Sequence, residues 1–449
     1  MVRVAGIAAL VCACAAQPMV AQDLVFTPGE DPRFDWASYR ALAQTDLSGQ
    51  QLTIQGPWLG PDKAAFESVV AYFRAATGAE VVYAGSDSFE QQIVIDTEAG
   101  SPPDIAIFPQ PGLAADLARR GHLRPLPPAM ADWLAETYAA GESWVDLASY
   151  PGPDGIGRLY ALPYRADLKS LVWYVPENLA EAGYAPPDTF EALQDLTRAL
   201  AADGATPWCI GLGSGGATGW PATDWVEDLM LRLYPVSVYD AWVGHALRFD
   251  DPKVIAAIEG FGWFARTPAF VTGGPVAVAA TDFRDSPHGL FTAPPHCYLH
   301  RQASFIPAFF PDGVEIGQDV DFFYFPAPAG RADQPVLGSG TLFALMSDAP
   351  AGRAFLGFLQ SPLAHEIWMA QQGFLTPHKG VNPDLYGDPA LRKMAKILQS
   401  ATVFRFDGSD LMPGAIGTGA FWTGMIDYVG GKDAAAVAGQ IQRVWDSLD

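Results

Sequence analysis

Basic charge is scarce in this chain. Lys and Arg number 27 against 50 Asp and Glu, a formal charge of −23 over 449 residues. No basic patch stands out, which excludes nucleic acid and anionic membrane surfaces from the expected partners. Nor does any stretch after the N-terminus hold the ~18 or more uninterrupted apolar residues of a membrane helix. Internal repeats and low-complexity segments are absent too, so nothing supports a ligand-free scaffold or adhesion role. Charged residues of both signs reach only 17%, whereas apolar residues make up 49% and aromatics 12%. Such a chain is ordered and compact, and it is too long for one ordinary domain, so two lobes are expected. With 45 Gly and 38 Pro it also needs many turns.

Cysteine is nearly as scarce, with four in all. Arg3, the apolar run Val4 to Val11 and small residues through Ala21 read as an export signal over residues 1–21, cut after Ala21. Cys12 and Cys14 fall inside it; a cut before Cys14 would instead leave a lipid-anchored protein, for which Cys12 is an odd neighbour. Cys209 and Cys297 remain, an even count in an exported chain, so a disulfide is expected, with two buried free thiols as the alternative. The loop it closes, about 88 residues, is worth at most ~4–5 kcal/mol on the chain-entropy account.

Residues 52–56 read as a strand, and Pro61-Asp62 opens a helix whose Phe66, Val69, Val70 and Phe73 share one face, with Gly78 as its cap. Short β-rich runs at 81–83 and 105–108 flank a polar helical segment, Ser88 to Glu98. This β-α-β-α-β order predicts a parallel sheet, and ligands collect at the carboxyl ends of such strands, here Trp58 and Phe108 to Gln110. Within Leu159 to Tyr174, strand alternation puts Arg165, Asp167 and Lys169 on one side. Three charges in so apolar a run are costly unless they pair, face a cleft, or lie on a solvent-facing edge. A capping-box-like start at Asp188 to Glu191 leads a helix with Leu193, Leu196 and Leu200. Further helices are expected over 350–360, 362–372 and from Asp433, the last with Val437, Ile441, Val444, Trp445 and Leu448 on one stripe.

The stretch Trp208 to Asp228 carries the clearest functional signal. It starts apolar, as a strand would, then dissolves into Gly211, Gly213, Gly215, Gly216 and Gly219, and resumes as a helix carrying Trp225, Leu229 and Leu233. The glycines fit a dinucleotide fingerprint, but Gly219 and Pro221 push the helix start downstream of them, so a cofactor is not expected. Tryptophans beside carboxylates suit a neutral, hydroxyl-covered ligand, which offers C–H faces to rings and O–H groups to strong acceptors. His296 and His300 flank Cys297, but Pro294-Pro295 disfavours a helix there and no third ligand is near, so no metal is expected.

The ordered pieces LTIQGPW, SPPDIAIFP, GHLRPL, GRLYALPY with SLVWYVPENL, PPDTFEAL, FLGFLQSP and QQGFLTPHKG resemble the sugar-binding class, family 1, of periplasmic solute-binding proteins of ABC importers. WCIGLGSGGATGWPATDWVED and PPHCYLHRQASF look most like its α-glucoside-binding branch. The resemblance implies two α/β lobes, each a mostly parallel sheet flanked by helices, joined by two or three crossings, with sugar between them. It implies lobe 1 from 22–165 and 335–378, and lobe 2 from 166–334 and 379–449. Carried over, the ligand set is Trp58, Phe108, Gln110, Arg165, Asp167, Ser214, Trp220, Asp224, Arg301, Gln302, Phe305, Gly338, Ser339 and Trp422. Trp58 departs from the more polar first loop of maltose-binding relatives. The implied partners are a membrane permease and its ATPase, and the protein itself is expected to be a periplasmic monomer without catalysis. The rival reading is an exported glycoside hydrolase, for which Asp167, Asp224 and Glu227 are the nominees.

Overall fold

The computed structural model describes residues 24–139, 141–331, 335–371, 374–387, 389–400 and 403–448. The expected export signal, with Cys12, Cys14 and Ala21, lies outside them, as does Gln372 at the end of one expected helix. The strands are β1 (Gln51–Gly56), β2 (Glu80–Gly85), β3 (Ile105–Phe108), β4 (Ser149–Pro151), β5 (Gly157–Leu159), β6 (Ala161–Leu168), β7 (Leu171–Tyr174), β8 (His300–Arg301), β9 (Asp321–Tyr324), β10 (Pro335–Leu345) and β11 (Val403–Phe406).

β2, β1 and β3 run parallel in that order, as the sequence pattern predicts. The Gly60–Thr77 helix joins the first two. Pro61 sits in its first turn, Phe66, Val69, Val70 and Phe73 are buried, and Gly78 ends it at φ 73°, a conformation glycine adopts without strain. β10 is the long element of the fold. Its C-terminal half pairs antiparallel with β3 and its N-terminal half parallel with β11, while β6 runs antiparallel along it. All eleven residues of β10 and all eight of β6 are buried. This excludes the solvent-facing edge for the charges of β6.

Two core clusters carry the packing. One centres on Phe66, Phe73, Phe343, Phe355 and Trp368, the other on Trp208, Trp225, Phe261, Phe264 and Met425. Leu385, Tyr386, Ala390, Leu391 and Met394 pack into the first, because the Pro389–Ser400 helix lies against it. The same cluster also holds Leu171, Trp173 and Ile306, so the first core gathers side chains from several parts of the chain.

Four expectations are corrected. The run from Leu159 to Tyr174 is split between sheets: β6 joins the large one, whereas β7 pairs with β8 and β9. That second sheet is antiparallel, where a mostly parallel one was expected: β8 and β9 both run opposite to β7. Residues 208–210 form isolated bridges, Trp208 with Val271 and Leu299, and no continuous strand. Helix ends differ as well. Thr189, not Asp188, caps the Phe190–Ala202 helix, and Leu233 and Leu448 are exposed because each lies at or beyond the last turn of its helix.

Cys209 and Cys297 are bonded, with Cα atoms 5.5 Å apart. Gly289 lies against the bridge, and a Cβ there would sit 2.5 Å from Cys209 Sγ. His300 turns its Nδ1 to the Cys209 carbonyl, 2.9 Å away. Replacing both cysteines, as in Cys209→Ser/Cys297→Ser, should lower unfolding free energy by about 2–4 kcal/mol. Urea unfolding with and without reductant checks this: the parent should respond to reductant and the double variant should not.

Candidate functional site

The carboxyl ends of β1, β2 and β3 open onto one cavity of about 150 Å³. From that side come Pro57 to Leu59 and Asp62, then Ser86, Asp87 and Glu90, then Pro109 and Gln110. β6 and β10 form the floor with Arg165, Asp167, Ser339, Gly340 and Thr341, and Lys169 follows β6. The opposite wall comes from Ser214, Ala217 and Trp220, the rings of Phe283, Phe305 and Phe309, the Asp407–Asp410 turn, and Trp422.

Two buried cations organise the charges. Arg165, 2% exposed, donates from Nη1 to Asp62 Oδ1 at 3.1 Å and from Nε to Asp167 Oδ1 at 3.2 Å. Its guanidinium lies 5.5 Å from the Phe305 ring and 5.2 Å from that of Trp368. Lys169 donates to Asp224 Oδ1 at 2.8 Å and also to Asp407. Burial pushes its amine pKa down, but Asp224 and Asp407 more than offset this and hold it well above the usual lysine value. Glu227 lies beside Asp407, and burial, then that neighbour's charge, keep its carboxyl protonated well above the usual range. The carboxylate oxygens of Asp224, Glu227 and Asp407 come within 4.8 Å of one another, a spacing that suits a cation. The Lys169 ammonium is that cation.

Glu90 and Asp410 also line the cavity. Burial pushes Glu90 up to about 7 and Asp410 well above the usual value. Four further polar atoms of the lining are buried without a protein hydrogen-bond partner: Gln110 Oε1, Arg165 Nη2, Thr341 Oγ1 and Trp422 Nε1. Leaving such an atom unsatisfied costs about 1–3 kcal/mol, so the cavity favours a ligand rich in both donors and acceptors.

Of the expected ligand set, Trp58, Gln110, Arg165, Asp167, Ser214, Trp220, Phe305, Ser339 and Trp422 line this cavity. Five others stand behind its wall. Phe108 packs on Phe89 with ring centroids 5.5 Å apart. Asp224 is spent on Lys169, and Arg301 on Asp228 at 2.9 Å. Gln302 turns its side-chain oxygen to the Ala303 amide at 2.9 Å, and Gly338 is held between β6 and β11. Unforeseen polar members include Asp62, Ser86, Asp87, Glu90, Arg284, Thr341, Asp407, Ser409 and Asp410, and unforeseen rings are Phe283 and Phe309; Lys169 joins them from the charged run of β6. Ser86 and Asp87 follow β2, so the strand-end rule that pointed to Trp58 and Gln110 reaches them too.

Lys169→Met should cost about 3–5 kcal/mol of unfolding free energy, because it strands two buried carboxylates. Adding Asp224→Asn and Asp407→Asn should recover much of that loss, as chemical denaturation of the two variants would measure.

The profile of the bacterial extracellular solute-binding protein family matches residues 56–366. The chain is 62% identical over 431 residues to the alpha-glucosides-binding periplasmic protein AglE of Rhizobium meliloti, covering 95% of this chain and 94% of that one. It is 44% identical over 401 residues to the osmoprotective compounds-binding protein GgtB of Synechocystis, covering 89% and 93%. Among solved structures, the solute receptor AcbH aligns with a TM-score of 0.75 at 20% identity, over 89% of this chain and all (100%) of AcbH. Maltose-bound MalE3 of T. maritima aligns with a TM-score of 0.67 at 15% identity, over 89% and 100%. These structural likenesses concern the fold.

Proposed function

This chain belongs to the bacterial extracellular solute-binding protein family, and from that premise we propose that it captures α-glucosides for a carbohydrate ABC importer. The observation that carries the reading is the cavity wall. Trp58, Trp220, Phe305 and Trp422 offer ring faces, while Asp62, Glu90, Arg165 and Thr341 offer acceptors and donors. That combination matches a neutral ligand with C–H faces and many hydroxyls. It occurs in a chain 62% identical to an alpha-glucosides-binding protein. A cavity of about 150 Å³ displaces roughly ten to fifteen waters, about the volume of two sugar rings, so short glucosides fit best.

In this reading lobe 1 comprises 22–165, the C-terminal half of β10 and the segment to about residue 400. Lobe 2 comprises 166–334 and the segment from about 407 to the C-terminus. The exported monomer closes on its sugar in the periplasm and presents it to a permease with its ATPase. Capture, not cleavage, is the activity of this family. The hydrolase nominees fit that poorly as a catalytic set: Asp167 is paired with Arg165, and Asp224 and Glu227 are fully buried. The test is calorimetric titration with maltose, trehalose and sucrose, with chromatography of the same mixtures. We expect saturable binding and no products; no binding to any of the three, or turnover, overturns the reading.

Trp220 and Trp58 should separate binding from folding. Trp220 is half-buried, with Lys169 Nζ 5.3 Å from its ring. Trp58 is 5% exposed and packs on Phe66 and Trp368, each with centroids 4.9 Å away. Trp220→Ala should weaken sugar binding about thirtyfold with little change in melting temperature. Trp58→Ala should cost about 3–5 kcal/mol of stability as well as affinity, read from melting beside calorimetry.

A further inference from the structure

The glycine run between Gly211 and Gly219 does more than line the cavity. Its Gly215–Ala217 turn touches the start of the Phe89–Glu98 helix, which falls in the other lobe of the division proposed above. The Ala217 amide donates to the Asp87 carbonyl at 3.2 Å, and Gln91 Nε2 donates to the Gly216 carbonyl at 3.1 Å. The glycines lie close against the side chains of the opposite segment. A Cβ on Gly215 would lie 2.3 Å from Asp87 Oδ2, and one on Gly216 would lie 2.6 Å from Ser88 Oγ and 2.9 Å from Gln91 Oε1. The nearest atoms in both cases belong to the opposite lobe. Ser86, Asp87, Ser214 and Ala217 also line the cavity, so this contact is part of its wall.

We propose that the Gly215–Ala217 turn and the Asp87–Gln91 segment form a clasp between the lobes, which determines how long the ligand is retained and how far it can extend. The proposal rests on the reading that the cavity takes a glucoside. Two backbone-centred hydrogen bonds form only when the lobes meet, so they stabilise the closed state alone and act on ligand release more than on capture. With the clasp shut, that side of the cavity ends at Ala217 and Asp87, which limits the ligand to short glucosides. A bulky side chain at 216 would press on Ser88 and Gln91 across the contact, whereas glycine leaves them in place.

Gly216→Leu is the decisive variant. Gly216 has no left-handed φ, unlike Gly215 at +55°, and the atoms its Cβ would meet are across the lobes. The lobes themselves therefore fold as before, and melting without ligand should match the parent. Stopped-flow release of maltose should be about tenfold faster or more, with association nearly unchanged. Preference should also move from maltose toward maltotriose and maltotetraose. Adding Ser88→Gly and Gln91→Ala to Gly216→Leu makes room and should slow release again. Maltose release at the parental rate, or an unchanged length preference, overturns the clasp while leaving the glucoside reading intact. A ligand-free arm uses Ser88→Cys with Gly216→Cys, since Ser88 Cβ lies 2.9 Å from a Cβ on Gly216. Mild oxidation should join the two segments, seen as loss of maleimide labelling. Oxidation traps each transient closure, so the disulfide should accumulate even where the open form predominates. If the parent binds no glucoside, the function reading fails, yet absence of the cross-link after prolonged oxidation still contradicts the clasp.

Discussion

A lysine amine buried between two carboxylates is the interaction on which the rest of the site depends. Lys169 follows β6, Asp224 lies on the Trp220–Leu233 helix, and Asp407 follows β11. Taking these charges out of water is tolerable only if their geometry is held tightly. The demand joins three chain segments at one point. β6 and β10 run side by side from there toward β3, and the Asp407 amide donates to the Gly338 carbonyl at 2.8 Å. The Asp407–Asp410 turn and Trp220 are thereby set as cavity wall, and Arg165 with Asp62 and Asp167 repeats the arrangement on the floor. Charge pairing thus fixes the positions of the side chains that meet the ligand, while the rings supply its surface.

The first sheet and its helices were legible because their signals are periodic. Phe66, Val69, Val70 and Phe73 recur at helical spacing, and Gly78 stands where the helix must end. Part of the aromatic lining was legible for a related reason: Trp58 and Trp220 stand beside strand or helix ends that the pattern locates, whereas Trp422 was nominated by the family resemblance alone. The carboxylates were harder to assign. Asp224 sits on an amphipathic run near the cavity, but nothing local reveals that Lys169, 55 residues away, claims it. Asp407 and Asp410 come from a turn with no period, and Glu90 from a short polar helix, so only tertiary contact brings them to the cavity. Leu391 and Met394 likewise join the first core through packing that chain order does not express.

The glycine stretch illustrates a different limit. Its composition correctly marked a loop at a cavity, and Ser214 and Ala217 do line one. Composition could not say that Gly215 and Gly216 are small to admit another part of the protein instead of a ligand. Steric absence reads the same in sequence whichever neighbour fills the space.

The central claim is that ligand is held between two lobes that close around it. A ligand touching both walls of the cavity stabilises the closed form alone, so the unliganded protein should favour an open form. Small-angle scattering of the protein with and without saturating α-glucoside measures this most directly. The account predicts a smaller radius of gyration with ligand bound. An unchanged radius, at saturation proven by calorimetry on the same sample, would contradict it.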